Sequence, residues 1–367
     1  MFLPVRGHNR GHDSGQGDND SDSDSDSGDA GKGPGRRSRA LKAVGLGLTG
    51  VLALGVAAAG VAYWHLNQNI KGVDINSALG DDRPPRPLSA PSANTADLPS
   101  GALNILVLGS DSRSGAQNKE LGGGDSEGAR SDTAMVVHID AGRTSATVVS
   151  IPRDTLVTRP SCPLESGGHT AVADYAMFNS AYSVGGPVCA VKTVESLTGI
   201  RMDHYVEIDF SGFAKLVDAM GGVTVTTELD IDDDKSHLHL KAGTHHLDGT
   251  DALALARTRY GVGDGSDLGR IGLQQTLVKA LLEQVSDSGL LNDPAGLYRV
   301  ADAVTGSLTT DTGLDSLGEL TTLGESLRGL SAQDVKTVTM PVVTAPWNPN
   351  RVVAQEPDAA DLWASLR

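Results

Sequence analysis

Hydrophobic and polar positions divide this chain into three stretches. Residues 1–42 show no apolar periodicity, residues 43–64 form an unbroken uncharged run, and beyond residue 103 short apolar runs recur between Gly-, Pro- and Asp-containing breaks. Ile105–Leu108, closed by Gly109, has the length and continuity of a buried strand. Ala134–Ile139 and Ala146–Ile151 predict two more strands, and Asp140-Ala141-Gly142-Arg143 between them predicts a hairpin turn. Ser114–Gly128, polar and glycine-rich, predicts a surface loop between the first two strands.

Further on the period changes. Val191, Val194 and Leu197 predict a helix stopped by Gly199. His204–Phe210 predicts a strand, Ser211–Gly222 a helix with a serine N-cap and a glycine end, and Val223–Thr227 another strand. This β-α-β passage indicates an α/β domain, layered α-β-α around a central mixed sheet. Gly249–Ala256 predicts a helix that delivers Arg257 and Arg259 at its end. A loop holding Asp267 then leads into a helix on which Arg270 and Gln274 share one face, with Ile271, Val278, Leu282 and Val285 as the apolar stripe. Val335–Val343 and Ala359–Leu366 read as packing elements.

Charge and composition supply an address. The chain has 367 residues and a formal net charge of −16, and 39% hydrophobic residues support a real core. Residues 1–42 hold seven Lys/Arg and seven Asp, so the remainder carries all of that negative charge. An acidic domain argues against nucleic acid as a partner, which calls for a basic face. Residues 1–42 are too polar to bury surface and predict a disordered tail; their SDSDSDS run lacks the glycine and closing glutamate of a calcium loop. A basic cluster (Lys32, Arg36, Arg37, Arg39, Lys42) precedes the uncharged run Ala43–Trp64, whose 22 residues span about 33 Å as a helix. Tyr63 and Trp64 close it as interfacial aromatics. The pattern predicts a single membrane anchor with a cytoplasmic N-terminus and an extracytoplasmic domain; a cleaved signal peptide is the competing reading. Residues 65–102, with DDRPPRPLSAPSANTADLPS, predict a linker, and 103–367 the domain. Cys162 and Cys189, in the exported part, are expected to form a disulfide, the alternative being two buried thiols.

The chemistry concentrates in Leu103–Leu156. Asp111 with Arg113, Arg130 with Asp132, and Arg153 with Asp154 stand at the ends of the predicted strands. Cations and carboxylates together suit a metal and a phosphorylated ligand. Each group also has a plain structural role open to it: strand-end caps for Asp111 and Asp132, a salt-bridge ladder for Arg257 and Arg259, a solvated helix face for Arg270 and Gln274. His237, His239, His245 and His246 read as a hairpin with scattered histidines rather than a zinc site, and Asp230–Asp234 as a solvated loop. There is no P-loop and no nucleophile elbow.

The ordered motifs GSDSR, ARSDT, SIPRDT, FNSAYSVGG, TVESLTGIRMDHYVEIDFSGFAKLVDAMGGV, RTRY and D-x-x-R-x-x-x-QQ resemble the LytR–CpsA–Psr (LCP) family, membrane-anchored enzymes of Gram-positive cell walls. The resemblance covers roughly residues 103–285. It implies magnesium-dependent transfer of a glycosyl phosphate from a polyprenyl-pyrophosphate-linked glycan donor to a peptidoglycan acceptor. It also implies Asp111 and Asp132 as magnesium carboxylates, and Arg113, Arg130, Arg153, Arg257, Arg259, Arg270 and Gln274 as the pyrophosphate-holding residues. The general base stays open between Asp154 and Asp267. Two departures stand out: Met177 replaces the lysine of K-x-N, and Leu273 the second arginine of R-x-x-R-Q-Q. A pyrophosphohydrolase using water as acceptor, or a non-catalytic lipid-phosphate-binding regulator, are the alternative functions. Val206–Val225 would suit either an isoprenoid groove or an ordinary core.

Overall fold

The computed structural model describes residues 55–86, 101–110, 131–164, 166–259, 267–287 and 293–367. Asp111, Arg113 and Arg130 lie outside these. So do the predicted tail and most of the predicted span; its residues 55–64 are helical, and among the described residues no helix is long and apolar enough to cross a membrane. By its contacts the chain falls into two units, Met1–Ala58 and Ala59–Arg367. Of the first, only the helical residues 55–58 are described.

The elements begin with α1 (residues 55–69), β1 (Lys71–Val73), α2 (Ile75–Leu79), β2 (Leu103–Ser110), β3 (Ser131–Ile139), β4 (Ala146–Ser150), β5 (Leu156–Arg159) and β6 (Ala173–Met177). There follow α3 (Ser180–Thr198), β7 (His204–Asp209), α4 (Phe210–Ala219), β8 (Val223–Thr227), β9 (Ile231–Asp233), β10 (Leu238–Leu240), β11 (Gly243–Leu247), α5 (Gly249–Arg257) and α6 (Asp267–Asp287). The chain ends with α7 (Pro294–Ser307), β12 (Leu308–Asp311), α8 (Leu317–Ser326), β13 (Val335–Thr339), β14 (Val342–Ala345), β15 (Asn348–Ala354) and α9 (Asp358–Ala364).

Seven strands form one sheet in the order β1-β12-β7-β2-β3-β4-β13. The pairings β1/β12, β2/β7 and β4/β13 are parallel and the others antiparallel, so the sheet is mixed, as expected. Strand alternation separates its two faces. Leu106, Leu108, Val136 and Val149 pack with Val191 and Val194 of α3 and with Trp363 of α9. Leu103, Ile105, Met135 and Val148 face the other way, onto Val278 and Leu282 of α6 and Leu323 of α8. The predicted α-β-α layering follows from these two apolar rows. A third cluster joins α4, α5 and α6 to the ribbons β8–β11 and β9–β10.

Local readings needed adjustment in three places. Asp209 rather than Ser211 caps α4, its carboxylate accepting from the Gly212 amide at 2.7 Å. β8 leaves the main sheet and pairs with β11, so the β-α-β passage does not close within one sheet. Val285, assigned to the apolar stripe of α6, is exposed. Gly199 does stop α3, with φ 65°. Gly249 lets α5 lie on α4, since a Cβ there would sit 2.0 Å from the Ala214 carbonyl oxygen. Cys162 and Cys189 come together as expected: their Cα atoms are 5.2 Å apart with the sulfurs bonded.

The largest correction concerns residues 66–86, read as linker. β1 pairs with β12 as an edge of the sheet, and Ile75 and Leu79 are buried in the main core. Arg83 grips Glu195 of α3 through Nε and Nη2, and its Nη2 also donates to the Met202 carbonyl at 2.7 Å. The side chains of this pair are 1% and 2% exposed. Lys192 reaches Asp82 at 2.9 Å. A Pro-rich, charged stretch looked like linker because its partners lie more than a hundred positions away.

Breaking a buried bidentate pair strands a charge. Arg83→Ala and Glu195→Ala are therefore each expected to lower unfolding free energy by about 3–5 kcal/mol, read by urea denaturation, with the Arg83→Met/Glu195→Leu double variant recovering much of the loss. Single variants as stable as wild type would return 66–86 to linker status.

Candidate functional site

Strand ends and helix ends converge at one edge of the sheet. β3 opens with Ser131, Asp132 and Thr133, and Arg153 follows β4 by three residues. α5 ends on Arg257, and Thr258 leaves the helix with ψ 132°, turning the chain so that Arg259 follows it into the same space. α6 starts at Asp267 and carries Arg270 in its first turn.

Asp267 ties these segments together. Its carboxylate lies 3.1 Å from Arg259 Nη2, 2.5 Å from Arg270 Nη2 and 3.7 Å from Arg153 Nε, and accepts from the Arg153 amide at 3.2 Å. Arg153 also binds Asp132 directly through Nη1. Arg270 donates to the Asp132 carbonyl at 2.9 Å and is 4% exposed. Burial depresses its guanidinium to about 10, partly offset by Asp267, so it stays charged at neutral pH. The Nε groups of Arg153 and Arg270 are buried with no hydrogen-bond partner within the protein. Four arginines that converge on one cavity, with an Arg270 Nε–H buried and without a hydrogen-bond partner in the protein, supply the donor geometry a polyanion takes.

Behind them is a cavity of about 400 Å³. Asp132, Thr133, Arg153, Arg257, Arg259, Arg270 and Gln274 form its polar lining. Val107 and Met135 of the sheet, Phe210 and Phe213 of α4, and Leu277 and Leu281 of α6 form the apolar part. Arg257 stacks over the Phe210 ring at 4.8 Å, at a junction of the two parts. Ile208, Phe210 and Phe213 come from the Val206–Val225 passage, while Val217, Val223 and Val225 belong to a core cluster. That passage thus contributes to the cavity wall and to the core, residue by residue.

Not every predicted site residue faces the cavity in the expected role. Gln274 lines it, but its amide nitrogen donates to Thr133 Oγ1 and the Ala256 carbonyl, each at 2.9 Å. It therefore braces α6 against β3 and α5 and has no N–H left for a phosphate. Far from forming a solvated face, Gln274 and Arg270 are both buried. Asp154 stays outside the lining, between Arg153 Nε at 3.8 Å and Arg351 Nη1 at 3.6 Å. Leu273 packs against the third core cluster, and Met177 ends β6 opposite Leu156.

Sequence reading missed a loop. Asp233, within the supposedly solvated acidic stretch, is 2% exposed and accepts from the amides of Lys235 and Arg259, each at 2.9 Å. It positions Arg259, and Lys235 and Ser236 join the lining. The signal was an aspartate followed two residues later by a backbone turn, the Asx-turn pattern. His245 and His246 hydrogen-bond backbone carbonyls, while His239 sits on an exposed hairpin 2.5 Å from Asp232, with Asp234 close by.

A hard divalent cation such as magnesium takes one or two carboxylates and completes its shell with water and phosphate; among the described residues the carboxylate open to that role here is Asp132, which also pairs with Arg153. Asp132 is such a carboxylate at the polar edge of the cavity. Asp209 and Asp233 also line it but are occupied in holding backbone amides.

A seven-stranded mixed sheet with an arginine-lined, partly apolar cavity under its helices defines an α/β domain with a cationic pocket. The profile of the LytR_cpsA_psr family matches residues 62–367, and the chain belongs to that family. It is 35% identical over 278 residues to cell wall biosynthesis protein LcpA of Corynebacterium glutamicum, covering 68% of this chain and 51% of LcpA. It is 32% identical over 344 residues to the probable cell wall biosynthesis protein LcpB of the same organism, covering 91% of this chain and 74% of LcpB. TagV of Bacillus subtilis, a polyisoprenyl-teichoic acid–peptidoglycan teichoic acid transferase, is 30% identical over 64% of this chain and 57% of TagV. The crystal structure of TagV superposes with a TM-score of 0.56 at 26% identity, covering 73% of this chain and 97% of that one. The chain thus spans about half the length of LcpA and of TagV.

Removing Asp267 leaves three guanidinium groups facing one another. Asp267→Ala is expected to lower unfolding free energy by about 3–5 kcal/mol, with Asp233→Ala milder. Denaturant unfolding is the check, and an Asp267→Ala variant as stable as wild type would mean that the arginines do not depend on this carboxylate.

Proposed function

We propose that this protein transfers a glycosyl phosphate from a polyprenyl-pyrophosphate carrier to peptidoglycan, outside the cytoplasmic membrane, anchored by residues 43–64. The observation that carries this reading is one cavity of about 400 Å³ with two chemistries: an apolar wall that includes Phe210, Phe213, Leu277 and Leu281, and a polar part set with Arg153, Arg257, Arg259 and Arg270. An isoprenoid tail matches the first and a pyrophosphate the second. The extracytoplasmic address also accounts for the Cys162–Cys189 bond, which an oxidising compartment would preserve.

In this mechanism the arginines bind and orient the pyrophosphate, with Lys235 supplying a cation at the same mouth in a chain that lacks those expected at Met177 and Leu273. An acceptor hydroxyl attacks the sugar-bearing phosphorus. A new phosphorus–oxygen bond forms, the bond to the bridging oxygen breaks, and polyprenyl phosphate leaves toward the cavity. Charge accumulates on the bridging oxygen and is met by preorganised guanidinium groups. Asp132, with Asp111, would hold magnesium, which when bound adds charge neutralisation at the phosphates. Arg113 and Arg130 belong to the same proposed site. Of the two candidate bases, Asp267 is committed to holding Arg153, Arg259 and Arg270. Asp154, beyond hydrogen-bonding distance of both its arginine neighbours, takes the hydroxyl proton.

The test is full-length protein in detergent with a polyprenyl-pyrophosphate saccharide and peptidoglycan, with and without magnesium. Transfer should require the metal and fall about 10²–10³-fold in Arg153→Ala. Asp154→Asn should lower kcat about 10²–10⁴-fold with donor KM nearly unchanged. Phosphate release without transfer would identify a pyrophosphohydrolase, tight binding without turnover a regulator, and intact turnover in both Asp132→Ala and Arg153→Ala would remove the site altogether.

A further inference from the structure

An aromatic pair on the surface has no part in the core or the cavity. Tyr175 of β6 and Trp347, in the turn between β14 and β15, meet edge to face with ring centroids 5.1 Å apart and planes at 75°. They remain 66% and 58% exposed. Two large aromatic side chains held together in water form a contiguous exposed patch of the kind that marks a binding surface. Tyr175 is also one of three described non-glycine residues with a left-handed backbone, φ 54°. A tyrosine in that conformation costs energy that nothing in the core recovers, a pattern found where a side chain is held for a ligand.

Their place relative to the site is specific. Trp347 precedes β15, whose Arg351 lies 3.6 Å from Asp154 and whose Val352 amide donates to the Asp154 carbonyl. Tyr175 lies two residues before Met177, and the Asn179 amide donates to the Arg153 carbonyl. Two elements therefore lead from the Arg153–Asp154 segment to the rings, and neither ring lines the cavity. In-line displacement puts the attacking oxygen opposite the leaving one. With the lipid phosphate leaving toward the cavity, the attacker arrives from the side away from it; Asp154, Arg351 and the ring pair all stand outside the cavity lining.

We infer that Tyr175 and Trp347 form a stacking platform for the acceptor: a glycan strand whose pyranose rings lie on the aromatic faces while its hydroxyl reaches Asp154. This rests on the transferase reading and deepens it. The C–H face of a pyranose is apolar and slightly positive, and it complements the negative face of an aromatic ring. Two rings set at a steep angle offer separate faces to successive sugars. The polar neighbours are Asp174, beside Tyr175 and hydrogen-bonded to Thr158, and Asn348 and Asn350 beyond Trp347. Carboxylate and amide groups suit hydroxyl-rich rings. A membrane surface also draws exposed Trp and Tyr, with lysine and arginine beside them; Arg159 and Arg351 lie on the neighbouring strands, so liposome partition is the competing outcome of the test.

The experiment uses the full chain in detergent and an N-acetylglucosamine pentamer as probe, by calorimetric titration, alongside binding of a polyprenyl pyrophosphate and partition onto anionic liposomes. Trp347→Ala should weaken pentamer binding about tenfold or more, the size of one lost stacking contact, and Trp347→Phe should keep most of it. Polyprenyl-pyrophosphate binding should be unchanged in both, and in the transfer assay Trp347→Ala should raise the acceptor KM while leaving the donor KM alone. Pentamer binding equal to wild type in both Trp347→Ala and Tyr175→Ala would overturn the platform, as would a loss confined to liposome partition. If wild type binds pentamer but no polyprenyl pyrophosphate, the donor reading fails while the platform stands.

Discussion

The site exists because Asp267 sits where three arginines meet. Arg153 arrives from the loop after β4, Arg259 from the chain leaving α5, and Arg270 from the first turn of α6. Their mutual repulsion in a largely buried space would force these segments apart without a shared carboxylate. Asp267 holds them together, and Asp132 pairs with Arg153 as well. The convergence of Arg153, Arg257, Arg259 and Arg270 on one cavity, with the Arg270 Nε buried and without a hydrogen bond in the protein, is the physical basis for reading the mouth as a polyanion site.

That charged cluster also explains why the cavity beside it can be apolar. The sheet face that carries Val107 and Met135 is covered by α4 and α6, which supply Phe210, Phe213, Leu277 and Leu281. Gln274 braces α6 to β3 and α5 at the boundary between the two regions. A ligand with an apolar chain and a charged head can satisfy both regions at once, whereas a free phosphate or a free hydrocarbon satisfies one. The fold places the two chemistries side by side by ending β3, β4 and α5 near the start of α6.

Much of this was legible in the sequence, and the failures have physical reasons. β2, β3 and β4 announce themselves as apolar runs bounded by Gly and Asp, and their pairing gives the mixed sheet. Arg153, Arg257, Arg259, Arg270 and Asp132 were identified as one set, and the structure brings these five together at the cavity. Residues 66–86 were misread because composition cannot show that Arg83 has a buried partner in α3. Gln274 and Asp233 were assigned to the wrong work for a related reason: the atom a side chain bonds depends on contacts across the fold. Asp111, Arg113 and Arg130 lie outside the described residues, so their part of the site stands on the motif alone.

The central claim is that the lipid pyrophosphate lies across the arginine mouth with its tail in the cavity. A crystal structure of the full chain with a polyprenyl pyrophosphate measures this most directly. Phosphate oxygens should lie against Arg153, Arg257, Arg259 and Arg270, with the isoprenoid between Phe210, Phe213 and Leu277. A lipid bound elsewhere, or phosphates seated away from these guanidinium groups, would contradict it.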